Sequence, residues 1–212
     1  MMKKIFVILI VLFLAGSFSA KAADLSGAVE MHSRLIDVGG GGNYSENPTM
    51  TAAFTYTKGL SFTGFYSADL KDSTTIANLQ EFIVSGSGKI GKTVISGMFE
   101  TVRYSPLDGV YLYPSVNVTQ PLGGGFEINF RYRYNINYDD AINTSTSHIG
   151  LTKKFKDWSI TARGHRDANL TNFSSAVTKE IYKNVSASGF YHVIDIMGDP
   201  IHFGGVKVGY AF

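Results

Sequence analysis

The chain has 212 residues, of which 44% are hydrophobic and 17% charged, with 23 Gly, 12 Tyr, 15 Phe and no Cys. That length suits one domain, and the missing Cys excludes a disulfide scaffold, a thiolate metal site and a lipid-modified N-terminal Cys. A formal charge of +2 gives no ground for a nucleic-acid partner, and a mean hydropathy of +0.05 excludes a helical membrane bundle with its several long apolar runs.

Residues 1–22 begin with Lys3-Lys4, continue through an apolar run from Ile5 to Gly16, and close on Ala20-Lys21-Ala22. A basic head, a short apolar stretch and an A-x-A site are the three parts of a secretory signal. The run is too short for a transmembrane anchor. Cleavage after Ala22 would remove three Lys and no acid, so residues 23–212 carry 16 basic and 17 acidic side chains, a net −1.

From there the hydrophobic period is two. Apolar residues alternate at Met50/Ala52/Phe54/Tyr56 and then at Leu60/Phe62/Gly64/Tyr66/Ala68/Leu70. Residues 125–137 are the clearest case: every even position from Phe126 to Ile136 is apolar or aromatic, and every odd one from Glu127 to Asn137 is polar. Strand side chains alternate between faces, so one face is greasy and the other carries Glu127, Arg131 and Arg133. Trp158/Ile160/Ala162 and the closing Val206/Val208/Tyr210/Phe212 repeat the pattern, whereas Ser175/Val177/Lys179/Ile181 follow it poorly.

Tight breaks fall at Lys58-Gly59, around Ser87–Gly91, at Gln120–Gly124, Lys156-Asp157 and Lys183-Asn184. Looser ones run Asp37–Pro48, Lys71–Ala77, Ser105–Gly109, Tyr138–Ser145, Asp167–Thr171 and Met197–Pro200. Gly, Asn, Asp, Pro and Ser mark each of them. Five turns and six loops predict twelve strands in up-and-down order, with ten as the alternative because of the weak segment Phe173–Asp195.

Alternating short turns and longer loops point to an all-β transmembrane antiparallel barrel over residues 23–212, with periplasmic turns and external loops. A secreted β-sandwich also alternates, but its exposed face would be rich in Lys and Glu. Here the polar face is mostly Ser, Thr and Asn. Aromatics crowd the expected strand ends at Tyr104, Tyr111, Tyr113, Tyr134, Tyr138, Trp158 and Tyr182, which suits membrane girdles. Twelve tilted strands close at a backbone radius of roughly 12 Å, which leaves an aperture for small solutes only.

The last residues, Val206, Val208, Tyr210 and Phe212, resemble the C-terminal assembly signal of bacterial outer-membrane proteins, which end in Phe after alternating apolar residues. That resemblance implies a bacterial outer-membrane location, surrounding outer-membrane lipid, and recognition by the barrel-assembly machinery. As a whole the expected barrel resembles the small twelve-stranded monomeric porins that pass acidic sugars, and no subfamily motif narrows it further.

Several motifs carry no chemistry here. Gly86-Ser87-Gly88-Lys89-Ile90-Gly91-Lys92-Thr93 fits a phosphate-binding loop letter for letter, yet the β-branched, Gly-containing segment after it is a poor helix former. A periplasmic turn is the better account. The five His show no helical ligand pair, so no metal and no cofactor is expected. Asp139-Asp140 is similar to the acidic pairs of outer-membrane proteases but lacks an acid–histidine partner, and no G-x-S-x-G elbow appears. An enzyme is therefore not expected.

Taking the apolar parity as lipid-facing, the inward set includes Arg34, Arg131, Arg133, His148, Lys154, Arg163, His165 and Lys207. Arg131/Arg133, His148/Lys154 and Arg163/His165 fall on three successive strands, which would gather them into one basic wall. Charges inside a water-filled barrel are tolerated, and tracks of Arg favour anions. The competing arrangement has Glu81, Glu127 and Glu180 pairing with these cations and plugging the lumen. The expected function is a porin-like channel for passive diffusion of small, anion-favoured solutes, and the alternative is a non-conducting structural or adhesive barrel.

Overall fold

The computed structural model describes residues 24–33, 35–37, 43–45, 47–71, 78–104, 110–134, 136, 145–166, 170–196 and 198–212. The expected signal segment 1–22 and Arg34 lie outside them, as do Tyr138 and the Asp139-Asp140 pair. In chain order the strands are β1 (Asp24–His32), β2 (Leu35–Asp37), β3 (Asn43–Ser45), β4 (Thr49–Lys58), β5 (Leu60–Asp69), β6 (Leu79–Ile90) and β7 (Thr93–Tyr104). They continue as β8 (Val110–Gly123), β9 (Phe126–Tyr134), β10 (Ser145–Lys154), β11 (Trp158–Arg166), β12 (Leu170–Tyr182), β13 (Val185–Ile196) and β14 (Asp199–Ala211). Twelve of these close into one antiparallel barrel, β4 through β14 in sequence order with β1 between β14 and β4.

The alternation in the sequence sorts the two faces of every strand. Phe54, Phe130, Ile149 and Val208 lie about half exposed on the outside, while Thr49, Ser67 and Ser115 on the opposite parity are fully buried. An exposed apolar exterior around a polar interior is the inverse of a soluble domain and matches a barrel surrounded by lipid. The weakly alternating segment is nevertheless two full strands: β12 and β13 pair from Leu170↔Ile196 to Tyr182↔Val185.

The punctuation differs from the sequence expectation in three places. β2 and β3 form a small hairpin, Leu35↔Ser45 to Asp37↔Asn43, inside the expected loop Asp37–Pro48 and its approach. Strands β6 and β8 overrun their expected turns, so the chain reverses at Gly91-Lys92 and at Gly124-Gly125. Backbone conformation decides both: Gly91 has φ 60° and Gly123 to Gly125 all have positive φ, which glycine adopts without the Cβ penalty. Finally, β11 to β12 and β13 to β14 are joined by only 167–169 and 197–198, because the strands extend into the expected loops. The phosphate-loop look-alike is the β6–β7 hairpin itself, with Gly86 paired to Gly97 and Ile90 to Thr93.

The barrel shuts between β1 and β14. Five residue pairs join them, Ala28↔Ala211 to His32↔Lys207, against nine between β1 and β4. Two backbone hydrogen bonds extend the seam, from Gly27 N–H to the Phe212 carbonyl at 2.8 Å and back from Phe212 N–H at 2.9 Å. A Cβ on Gly27 would stand 2.6 Å from the Phe212 ring, so only glycine leaves room for that ring there.

Candidate luminal site

Register places the expected wall residues side by side. Across β9 and β10, Arg131 pairs with His148 and Arg133 with Thr146. Across β10 and β11, His148 pairs with His165, Gly150 with Arg163 and Lys154 with Ser159. All of these share the inner parity. Lys207, on β14, also faces in, opposite Ser188 of β13 and His32 of β1.

The wall is held by carboxylates. Glu100 on β7 reaches across β8 to both arginines: Arg131 donates to its Oε1, and Arg133 donates to its Oε2 at 3.4 Å. Ser115, fully buried, stands between Met98 and Arg133 in register and is small enough for the pair to pass over it. The Arg133 guanidinium also lies 4.2 Å from the centroid of the Tyr113 ring, a cation–π contact that shields it from water. Lys154 donates to Glu127 at 3.1 Å, and Lys207 donates to Glu30 at 2.9 Å.

Two groups stand apart from this pairing. His148 and His165 meet edge to face with ring centroids 4.3 Å apart and ring nitrogens within 3.2 Å. Arg163 has no carboxylate within salt-bridge distance among the described residues. It borders two cavities: one of about 360 Å³ with Asn117, Asn129, Arg131, His148 and Thr152, and one of about 200 Å³ with His32, Ser174, His192 and Lys207. Gly150 also lines the first cavity, next to the Arg163 stem.

Sequence reasoning missed Glu100. The β7 inner face reads Val94/Ser96/Met98/Glu100/Val102, and its outer face mixes Ile95 and Phe99 with Thr93, Gly97 and Thr101, so neither parity stands out. It also placed Tyr111 and Tyr113 in a membrane girdle, and the structure corrects this. They sit on the inner parity of β8, stacked with centroids 6.5 Å apart, and Tyr113 is buried with Leu79 and Val102 in an apolar cluster near the loop end of the lumen. Trp158 and Tyr182 do lie on the outside. So do Val206, Val208, Tyr210 and Phe212, all exposed on the outer parity of the last strand.

Comparison with solved structures gives the architecture its relatives. The chain is similar to the KdgM porin in complex with disordered oligogalacturonate, with TM-score 0.63, 14% identity, and 88% of this chain covering 99% of that one. The NanC porin matches with TM-score 0.60 at 13% identity, covering 88% of this chain and 98% of the other. The fold is a porin fold. No protein-family model and no curated protein matches the chain. Within that porin fold, the cation-rich wall over β9, β10 and β11 and the cavities beside Arg163 are the features with chemistry to offer.

Proposed function

We propose that the chain is an outer-membrane channel for passive diffusion of small solutes, with anions favoured. The observation that carries this reading is Arg163, a cation without an acidic partner among the described residues, lying between two lumen cavities. Arg131, Arg133, Lys154, His148, His165 and Lys207 are read as further lining of the same passage, and Arg34, which lies outside the described residues, is kept with them on its sequence parity alone. Guanidinium groups present planar donor pairs that match carboxylates, so an acidic sugar fits the chemistry. The KdgM porin, of the same fold, was solved with an oligogalacturonate. Residues 1–22 are read as the secretory signal, and the exposed Val206/Val208/Tyr210/Phe212 face as the surface offered to the barrel-assembly machinery.

Planar bilayer recording tests the reading. Refolded protein should give discrete conductance steps with a reversal potential favouring anions. The Arg131→Ser/Arg133→Ser variant should move that potential toward cations, because Glu100 then faces the lumen uncompensated. A second reading, a non-conducting structural barrel, is favoured by the buried cluster of Leu79, Val102 and Tyr113 near the loop end. Absence of any current from correctly folded protein would decide for it.

A further inference from the structure

The five short connections share one rim, and lysines mark it: Lys58, Lys92, Lys153, Lys156, Lys179 and Lys183 lie in these turns or on the outer face within four residues of one. Lys153 and Lys179 belong to a denser patch. Lys153 Nζ lies 4.1 Å from the Phe126 ring centroid and 5.5 Å from that of Phe155, and donates to the Gly124 carbonyl. Phe155 stacks on Trp158 with centroids 3.8 Å apart and planes 4° from parallel. Trp158 is in turn the cross-strand partner of Lys179.

All of these side chains look outward, and Phe126, Phe155 and Trp158 are each about two-fifths exposed. Exposed Leu151 and Ile160 continue the patch toward mid-height. The nearest acids do not neutralise it. Glu127 faces inward and is bound to Lys154, Glu180 shares the inward parity, and Asp157 in the turn makes no ion pair with either lysine among the described residues. Rings at the head of an apolar column with ammonium groups beside them suit the membrane–water boundary, where a lysine stem lies along apolar surface and its charge reaches the headgroups. Zwitterionic headgroups bring no net charge to meet those ammonium groups; a phosphodiester headgroup without an amine does.

We propose that the outer-face patch of Phe126, Lys153, Phe155, Trp158 and Lys179 binds the headgroup of an anionic phospholipid in the leaflet that meets the short turns. It rests on the membrane reading above. Trp158 is the single Trp of the chain, so its fluorescence reports on this patch alone. The full chain is reconstituted in phosphatidylcholine vesicles containing the same small fraction of acyl-brominated lipid, carried either on phosphatidylglycerol or on phosphatidylcholine. Brominated phosphatidylglycerol should quench Trp158 the more strongly, by an amount equivalent to about fivefold local enrichment for each lysine. The Lys153→Gln/Lys179→Gln variant should lose that preference, and Lys71→Gln, at the opposite end of the barrel, should keep it.

Lys179→Gln alone secures the test against a folding failure, because Lys179 lies exposed on the outer face and makes no ion pair among the described residues, and it should reduce the preference about fivefold. Equal quenching by the two brominated lipids overturns the proposal and leaves the membrane reading standing. No quenching by either overturns both.

Discussion

Two walls of one lumen present different chemistry. Across β9, β10 and β11 the inner face holds Arg131, Arg133, Lys154 and Arg163 against Glu100 and Glu127, an excess of two positive charges. Across β4 and β5, from mid-height to the short turn, it holds hydroxyls that bond to one another between strands, Thr55 to Thr63 at 2.8 Å and Thr57 to Ser61 at 3.0 Å, with Asp69 the one acid of that face, at the loop end. Both walls are polar and both satisfy the barrel's need for a wettable interior. Along that stretch only the first wall carries charge, and two of its arginines are held by the buried Glu100. The lesson is that selectivity in a barrel of this size can be one-sided: a neutral wall bounds the passage while the charged wall chooses.

The comparison breaks most visibly at Glu100. Replacing it with Gln leaves the buried Arg133 and the partly buried Arg131 without their anion, a change that costs about 3 kcal/mol when a buried pair loses one partner. The urea midpoint of refolded protein should fall accordingly, while the reversal potential should shift further toward anions because a negative charge has gone. An unchanged midpoint would show that the charged wall does not depend on its carboxylate. Arg163→Gln comes next: with no ion pair to lose, it should leave stability unaltered and reduce anion preference in the same bilayer measurement. Smallest is Thr55→Val on the neutral wall, which removes one hydroxyl–hydroxyl contact at a cost of about 1 kcal/mol or less and should leave selectivity as it was.

Most of the architecture could be read from residues alone, because a lipid-facing strand must alternate and β9 does so without exception. The wall could be read for the same reason: Arg131, Arg133, Arg163 and His165 share one parity on strands of unambiguous phase. Reading failed where phase was hidden or where contact skips a strand. Glu100 lies on a face with no clear alternation and bonds across β8, two strands from its partners, which local periodicity cannot register. Tyr111 and Tyr113 misled because an aromatic near a strand end suits either a girdle or a packed lumen, and only the register of β8 separates the two. Turn positions slipped at Gly91 and Gly124 because several glycines close together, Gly86, Gly88 and Gly91 in one case and Gly123 to Gly125 in the other, offer several places to reverse.

The seam between β1 and β14 has a consequence for how such a chain becomes a barrel. Every other neighbouring pair in the cylinder is close in sequence or one connection away, whereas Glu30 meets Lys207 and Ser33 meets Val206 across more than 170 residues. Joining segments so far apart carries the largest loop-closure entropy in the molecule, and that pairing is also among the shortest in length. Zipping can therefore proceed hairpin by hairpin from β4 onward, and closure comes last. Until then the cylinder is an open sheet with two unsatisfied edges, the arrangement most exposed to pairing with the wrong strand.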